Sequence, residues 1–114
     1  MTTIFERVEA ALGTISPAVS FALAPYKGTL PDTYIVHQLI DSSPEEHADD
    51  AEAERSYLVQ ISIYSKAGLA SLPDVDTAMT AAGFQVGSVR QLPQDQQTFH
   101  YGLAKDYSYF ETKE

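Results

Sequence analysis

The side chains that could carry chemistry in this chain are three histidines and a run of acids. The histidines stand at positions 37, 47 and 100, which is not the close spacing of a metal-binding pair such as HxxxH. Only His47 has acids beside it, and the carboxylates of Glu46, Asp49 and Asp50 are ligands that calcium or magnesium accepts. The glycine and the terminal glutamate of an EF-hand loop are missing. A solvated loop is therefore the favoured interpretation, and we predict no metal site.

The other two histidines have ordinary structural explanations. His37 lies between Ile35 and Leu39 in a predicted strand, where a histidine is usually buried or at an interface, and hydrogen-bonded to backbone. His100 and Tyr101 are adjacent on a predicted strand, so their side chains point to opposite faces and do not form an acid-base pair. The chain has no Gly-rich phosphate loop and no cysteine, which excludes disulfides, thiolate metal sites and a cysteine nucleophile. We predict no catalytic residue and no cofactor, and therefore not an enzyme.

The acidic run contains seven acids and no base before Arg55. Its members are Asp41, Glu45, Glu46, Asp49, Asp50, Glu52 and Glu54. The formal net charge is −9, but outside this run nine acids face seven bases, so the acidity is local. Such a density of like charge cannot pack inward without large desolvation and repulsion costs. We predict an extended acidic loop at about 41–56. The basic residues are scattered along the sequence and predict no basic patch that could bind DNA or RNA.

Apolar periodicity and turn residues place this loop inside a hairpin. The first helix has a capping box at Thr3 and Glu6 and ends near Gly13. Two strands follow around a turn-rich connection, the second from Tyr34 to Ile40. Beyond the loop, the strand Ser56–Tyr64 alternates with period two and pairs back antiparallel on the strand before it.

The second half of the chain predicts a helix and two more strands. The helix has an apolar stripe at Leu72, Val75, Ala78, Met79 and Ala82. Pro73 suits its first turn, and Gly83 suits its end. From Phe84 to Phe110 the pattern predicts a strand, a turn at Leu92–Gln97, and a final aromatic strand that includes Phe99.

These elements predict one α+β domain over residues 1–114, in the order α-β-β-β-α-β-β. The sheet is mixed or antiparallel, has about four to five strands, and carries two helices on one face. Because both faces of the central strands alternate in apolar character, oligomerisation is expected to cover the other face. No basic segment precedes an apolar block, and no apolar stretch approaches the ~18 residues that span a bilayer, so we predict a soluble cytoplasmic protein without membrane contact.

The order of the segments resembles a known family. An amphipathic helix is followed by YIVHQLIDSS, the acidic ADDAEAE, YLVQISIYSK, a helix ending in AMTAAGF and the aromatic TFHYGLAKDYSYF. From roughly Ile4 to Phe110 this order is similar to that of the small tail-terminator proteins of long-tailed bacteriophages and prophages, which are also called tail-completion or tail-to-head joining proteins. Members often carry more mixed charge in the loop than this chain does.

The resemblance implies a structural virion protein at the head-proximal end of the phage tail, made in the bacterial cytoplasm. Such proteins form a homo-oligomeric ring, commonly a hexamer, which caps the tail tube and ends tail polymerisation. The implied partners are other copies of the chain, the tail-tube protein and a head-completion or connector protein. DNA passes through such a ring without specific binding.

Within this family, the acidic loop becomes a predicted assembly interface. Its residues are Glu45, Glu46, Asp49, Asp50, Glu52, Glu54 and Arg55. Three interpretations stay open. The loop is a mobile hairpin tip, or it faces the bore and repels passing DNA. In the third, it pairs with bases of a neighbouring copy, which are Arg7, Lys27, Lys66, Arg90 and Lys105.

A hypothesis from a different class is a small ferredoxin-like module that binds a ligand or catalyses a reaction. Its site would lie on the sheet face opposite the helices, lined by Gln60, Ser62, Tyr64 and His37. A protein that mimics DNA is a weaker hypothesis, because its acids would have to be spread at phosphate-like spacing instead of bunched in one loop.

Overall fold

In the described part of the chain there are two helices and five strands, and they follow one another in the predicted order. The computed structural model describes residues 3–15, 19–24, 28–45, 54–68 and 72–112. The elements are α1 (Ile4–Leu12), β1 (Ser20–Leu23), β2 (Thr33–Glu45), β3 (Glu54–Ser65), α2 (Val75–Ala81), β4 (Gln85–Leu92) and β5 (Tyr101–Thr112). All five strands form one sheet in the order β1-β2-β3-β5-β4. The predicted α+β class with a mixed sheet is confirmed.

The ends of both helices are set by short polar contacts. The Thr3 hydroxyl accepts a hydrogen bond from the Glu6 amide at 3.1 Å, and the Glu6 carboxylate accepts one from the Thr3 amide at 2.7 Å, which is the predicted capping box. Helix α2 begins later than its apolar stripe, because the Asp74 carboxylate caps it by accepting from the Thr77 amide. The placement of Pro73 in the first turn was therefore wrong.

The sheet combines one parallel pair with three antiparallel pairs. Strand β1 runs parallel to β2, and β2–β3, β3–β5 and β4–β5 are antiparallel. The predicted hairpin is present, but its strands extend further than predicted, to Glu45 and from Glu54. The predicted loop at 41–56 is wrong at both ends, because acidic side chains oppose burial but do not prevent backbone pairing. Residues 46–53 of that loop lie outside the described part.

The connection between β4 and β5 also differs from the prediction. Strand β5 begins at Tyr101, so Phe99 lies in the preceding turn and not in the strand. Phe99 has φ of 63° and is 62% exposed. This left-handed conformation is rare for a bulky residue and cannot continue a ladder.

One face of the sheet, here called the core face, contributes to the apolar core. Side chains of β2, β3 and β5 on this face pack in one cluster with buried residues of both helices. From the sheet these are Ile35, Val59, Ile61, Ile63 and Tyr107, and from the helices Ile4, Val8, Ala11, Leu12, Val75, Ala78 and Met79. The opposite face is here called the open face. It carries polar pairs such as Gln38 with Gln60, whose amides hydrogen-bond at 2.7 Å.

The sheet is longer than the core that it supports. Thirteen residues of β2 span roughly 43 Å, whereas the nine residues of α1 span about 14 Å. Beyond Val59, β2, β3 and β5 therefore continue as a three-stranded end, residues 41–45, 54–58 and 108–112, here called the arm. The molecule measures 52 × 25 × 25 Å as a consequence.

Candidate functional site

The predicted assembly residues that the structure describes meet at the end of the arm. Glu45 pairs with Glu54 across the β2–β3 ladder, and Pro44 pairs with Arg55. The Arg55 guanidinium donates to the Ser42 hydroxyl at 3.0 Å, which ties the two strands together. The other predicted members, Glu46, Asp49, Asp50 and Glu52, lie outside the described residues.

The ladder places like charges opposite each other at this end. Two glutamates in directly opposed positions destabilise a strand pair. The third strand adds no base within its paired positions there, because Glu54 pairs with Thr112 and Arg55 with Glu111 on β5. The strands at the arm end are thus paired through their backbones, although the residues there carry an excess of negative charge.

A mixed charged and aromatic cluster on one face of the arm contacts α1. The Arg7 guanidinium lies 3.0 Å from the Glu111 carboxylate and 5.1 Å from the centre of the Tyr109 ring. The Tyr57 hydroxyl donates to the other Glu111 oxygen at 3.3 Å, and Phe84 packs on Tyr109 at 4.9 Å between ring centres. Sequence analysis did not find this cluster, because its members come from α1, β3, β5 and the connection between α2 and β4, which are far apart in the chain.

The described bases that were predicted to accept a neighbour's acidic loop already have acids of their own chain beside them. The pairs are Arg7 with Glu111 at 3.0 Å, Lys66 with Asp32 at 3.8 Å, Arg90 with Asp106 at 3.0 Å and Lys105 with Asp76 at 3.2 Å. Lys27 lies outside the described residues. Pairing with a neighbour's acids would have to displace these contacts, and Lys66, which has the longest one, is the easiest to displace.

His37 is buried on the core face, where its ring Nε2 lies 3.0 Å from the Glu9 carboxylate of α1. The partner is a side chain and not the predicted backbone group. Because His37 pairs with Ile61 in the ladder, it lies on the face opposite Gln60, Ser62 and Tyr64. The four residues predicted to line a ligand site therefore do not come together.

His100 fastens the β4–β5 turn to the segment before β2. Its Nε2 lies 2.8 Å from the Pro31 carbonyl, which can only accept, so Nε2 carries a proton. In the neutral ring, Nδ1 then accepts from the Thr98 hydroxyl at 2.8 Å. His100 precedes β5, so the prediction of ordinary strand packing was wrong. His47 lies outside the described residues.

Among the described residues, three ionisable side chains have shifted pKa values, and each shift has a structural cause. Amides of Gln97 and Thr98 donate to Asp95 and lower the pKa of its carboxyl group. Hydrogen bonds from the Thr77 hydroxyl and amide lower the pKa of Asp74. Burial raises the pKa of Tyr107, and the hydrogen bond that its hydroxyl donates to Asp76 at 2.5 Å raises it further. All three groups serve a cap, a turn or a strand contact.

A groove of about 240 Å³ runs between the two helices. It is lined by Thr14, Ile15, Asp74, Thr77, Ala78 and Ala81. The polar groups Asp74 and Thr77 bond to each other, and the Thr14 hydroxyl donates to the Ala11 carbonyl, so these groups do not converge on the space.

The described residues contain neither a cluster of potential metal ligands nor a membrane-spanning helix. Within that part of the chain, His, Asp and Glu side chains form no group of three that could hold a metal ion. Neither described helix has the length and apolar character required to cross a bilayer.

Comparison with known proteins returned no match, either to a protein-family model or to a curated protein sequence.

Proposed function

We propose that this chain is the subunit of a homo-oligomeric ring that caps the tail tube of a long-tailed bacteriophage, ends tail polymerisation and joins the tail to the head. In this proposal two helices cover the core face, and the protein catalyses no reaction. The order of segments in the sequence suggests the family. The observation that carries the proposal is the arm, which extends the sheet past the core and ends in opposed acids.

The acids at the end of the arm fit a role in contacting another molecule. A strand pair that needed only internal stability would not keep Glu45 opposite Glu54. Moving these charges next to bases of a partner would turn an unfavourable contact into a favourable one. The tail-tube protein and the connector protein are the proposed sources of those bases, because most described bases of this chain are already paired.

A second role of the same acids follows if the arm also faces the bore. Carboxylates repel the DNA phosphates that pass through the ring, so the DNA does not adhere. This role needs no specific contact and no basic groove.

The experiment that tests the proposal is electron microscopy of phage particles produced by the strain that carries the gene. Deletion of the gene is expected to give tails of uncontrolled length that are separate from filled heads. The wild-type chain supplied in trans is expected to restore joined particles. Normal particles after deletion would contradict the proposal.

The role of the predicted acidic loop, which joins the two strands at the arm end, is tested by a variant in which Asp49, Asp50, Glu52 and Glu54 are replaced by serine. We expect it to fold, as judged by circular dichroism, but to restore joined particles at least about tenfold less well, because bases of its partners lose their acids. The control for position is Asp32→Ser, which removes one exposed acid far from the arm. Equal complementation by both variants would remove the acidic loop from the mechanism.

A further inference from the structure

We propose that the free edge of β4 pairs with the edge of β1 in a second copy of this chain. The strands run antiparallel, with Leu92 opposite Ser20 of the second copy and Val89 opposite Leu23 of the second copy. The inference rests on the proposed ring, because it names the contact that joins one subunit to the next. The two strands are the edges of the sheet, and among the described residues each has one strand neighbour.

The ladder registers place the two edges at the same level of the sheet. One row across the sheet runs from Ser20 through Tyr34, Tyr64 and Gly102 to Leu92. Three residues further along, another row runs from Leu23 to Val89 through His37, Ile61 and Lys105. A second copy set beside the first, in the same orientation, therefore brings its β1 next to residues 89–92 without a shift along the strands.

The directions of β4 and of β1 in the second copy are also compatible with this pairing. Strand β1 runs with β2 and β5, and β4 runs against them. The new contact is therefore antiparallel, with hydrogen bonds perpendicular to the strands. The lengths match as well, because β1 has four residues and the ladder of β4 is regular over residues 89–92, after the irregularity between Val86 and Val89.

The side chains at this contact are complementary. Leu23 is 47% exposed and Val89 is 52% exposed, and both belong to the core face by their ladder partners. In the proposed register they are direct cross-strand neighbours, so each covers the exposed apolar surface of the other.

The charge distribution favours these edges as the place where copies meet. The chain carries −9, but β1 has no charged residue and β4 has only Arg90, which is paired with Asp106. Two copies approach along this line without bringing their acids together. The contact joins two different surfaces, so it repeats from copy to copy, and the absence of a shift along the strands favours closure into a ring over an open helix.

Disulfide trapping tests the register directly, because the chain has no cysteine of its own. Directly opposed residues of antiparallel strands have Cα atoms about 4.5–5.5 Å apart, within the range that a disulfide bridges. We expect the double variant Leu23→Cys with Val89→Cys, oxidised by glutathione disulfide at high protein concentration, to form a ladder of covalent oligomers on a non-reducing gel.

The matched control is Leu23→Cys with Val86→Cys. Val86 is 47% exposed on the same strand but lies three residues, roughly 10 Å, from the proposed partner. It is expected to give no ladder. Equal ladders from both variants, or no covalent oligomer from the Val89 variant, would overturn the register. Dimers from Val89→Cys alone, with nothing larger from the double variant, would show symmetric β4 pairing instead.

A charged substitution at the edge of β4 gives an independent test of the contact. Val89→Lys is expected to raise the concentration at which light scattering detects association by about tenfold or more, because it places an unpaired charge in an apolar strand contact. Val86→Lys is expected to change that concentration by less than about threefold. Equal effects of the two variants would contradict the proposal.

Disulfide trapping tests the β1–β4 contact, whereas deletion of the gene tests the proposed function, so the two can fail separately. If rings form and joined phage particles depend on the gene, but trapping fails, the subunits meet through another surface. If trapping succeeds but deletion of the gene leaves particles normal, the ring has another role.

Discussion

Strand β3 passes through two different surroundings along its twelve residues. In its second half the core-face side chains, which include Ile61, are fully buried among residues of β2, β5 and the helices. Its first half, Glu54–Leu58, belongs to the arm, where strand pairing and the cluster around Arg7 and Glu111 hold the structure. Burial therefore decides where the core lies, whereas backbone pairing decides how long the strands are.

The largest expected effect is that of removing a core side chain. Ile61→Ala deletes fully buried carbon atoms and should lower the free energy of unfolding by about 2–5 kcal/mol. Leu58→Ala, on the open face of the arm, should cost less than about 1.5 kcal/mol, because its side chain is only half-buried. Urea unfolding measures both. Equal costs would mean that the arm is packed as firmly as the core.

A smaller effect is expected where β5 meets α2. Tyr107→Phe removes the hydrogen bond to Asp76 and should cost about 1.5 kcal/mol at neutral pH. The pKa of Tyr107 is raised above its usual 10.0, so the unfolded chain loses this proton first as pH rises. The stability that the tyrosine contributes is thus complete below pH 10 and is lost above it.

The wild type should therefore lose more stability than Tyr107→Phe between pH 10 and about 12. Urea unfolding at a series of pH values measures the difference. Parallel pH profiles for the two proteins would contradict the direction of the pKa shift.

The attachment of the arm to the core is tested at Arg7. Arg7→Met removes an ion pair with Glu111 and the contact with the Tyr109 ring, and should cost about 1 kcal/mol. Hydrogen exchange should accelerate in the arm more than in the buried half of β3. The control is Lys66→Met, whose pair with Asp32 is exposed and 3.8 Å long, and which should cost less than about 0.3 kcal/mol. A uniform acceleration along β3 would show that Arg7 does not act on the arm in particular.

The smallest effect is expected at the arm end, and its sign is reversed. Glu54→Gln removes one of two opposed like charges and should stabilise the protein by about 0.2–0.5 kcal/mol at low salt. The gain should shrink as salt screens the charges. Asp32→Asn, which changes the net charge equally, serves as the control. A loss of stability in Glu54→Gln would mean that the glutamate makes a favourable contact that the strand register does not reveal.

Local patterns predicted the local structure well. The capping box at Thr3 and Glu6, the stop at Gly83, which has φ of 98°, and the β2–β3 hairpin are all present, because each depends on residues close in the chain. The acidic run misled the placement of the strand ends, because acidic side chains oppose burial but do not prevent pairing of the backbone, and residues 41–45 pair with residues 54–58.

Contacts between distant residues could not be predicted. His37 meets Glu9 across 28 residues, and Arg7 meets Glu111 across 104. Nothing in the spacing of such residues indicates that a helix will lie over one strand end in particular. The proposed subunit contact depends on how far β1 and β4 are shifted relative to each other along the strand direction. This shift likewise follows only from the registers of four strand pairs.

The central position of β3 has a consequence for synthesis of the chain. Its two neighbours are made at different times, β2 just before it and β5 as the last of the five strands. Until β5 leaves the ribosome, one edge of β3 stays unpaired, and the buried Tyr107 is missing from the core. Folding during translation is therefore expected to stop at a β2–β3 hairpin, and nascent chains that end before Tyr101 should be sensitive to protease and prone to aggregate.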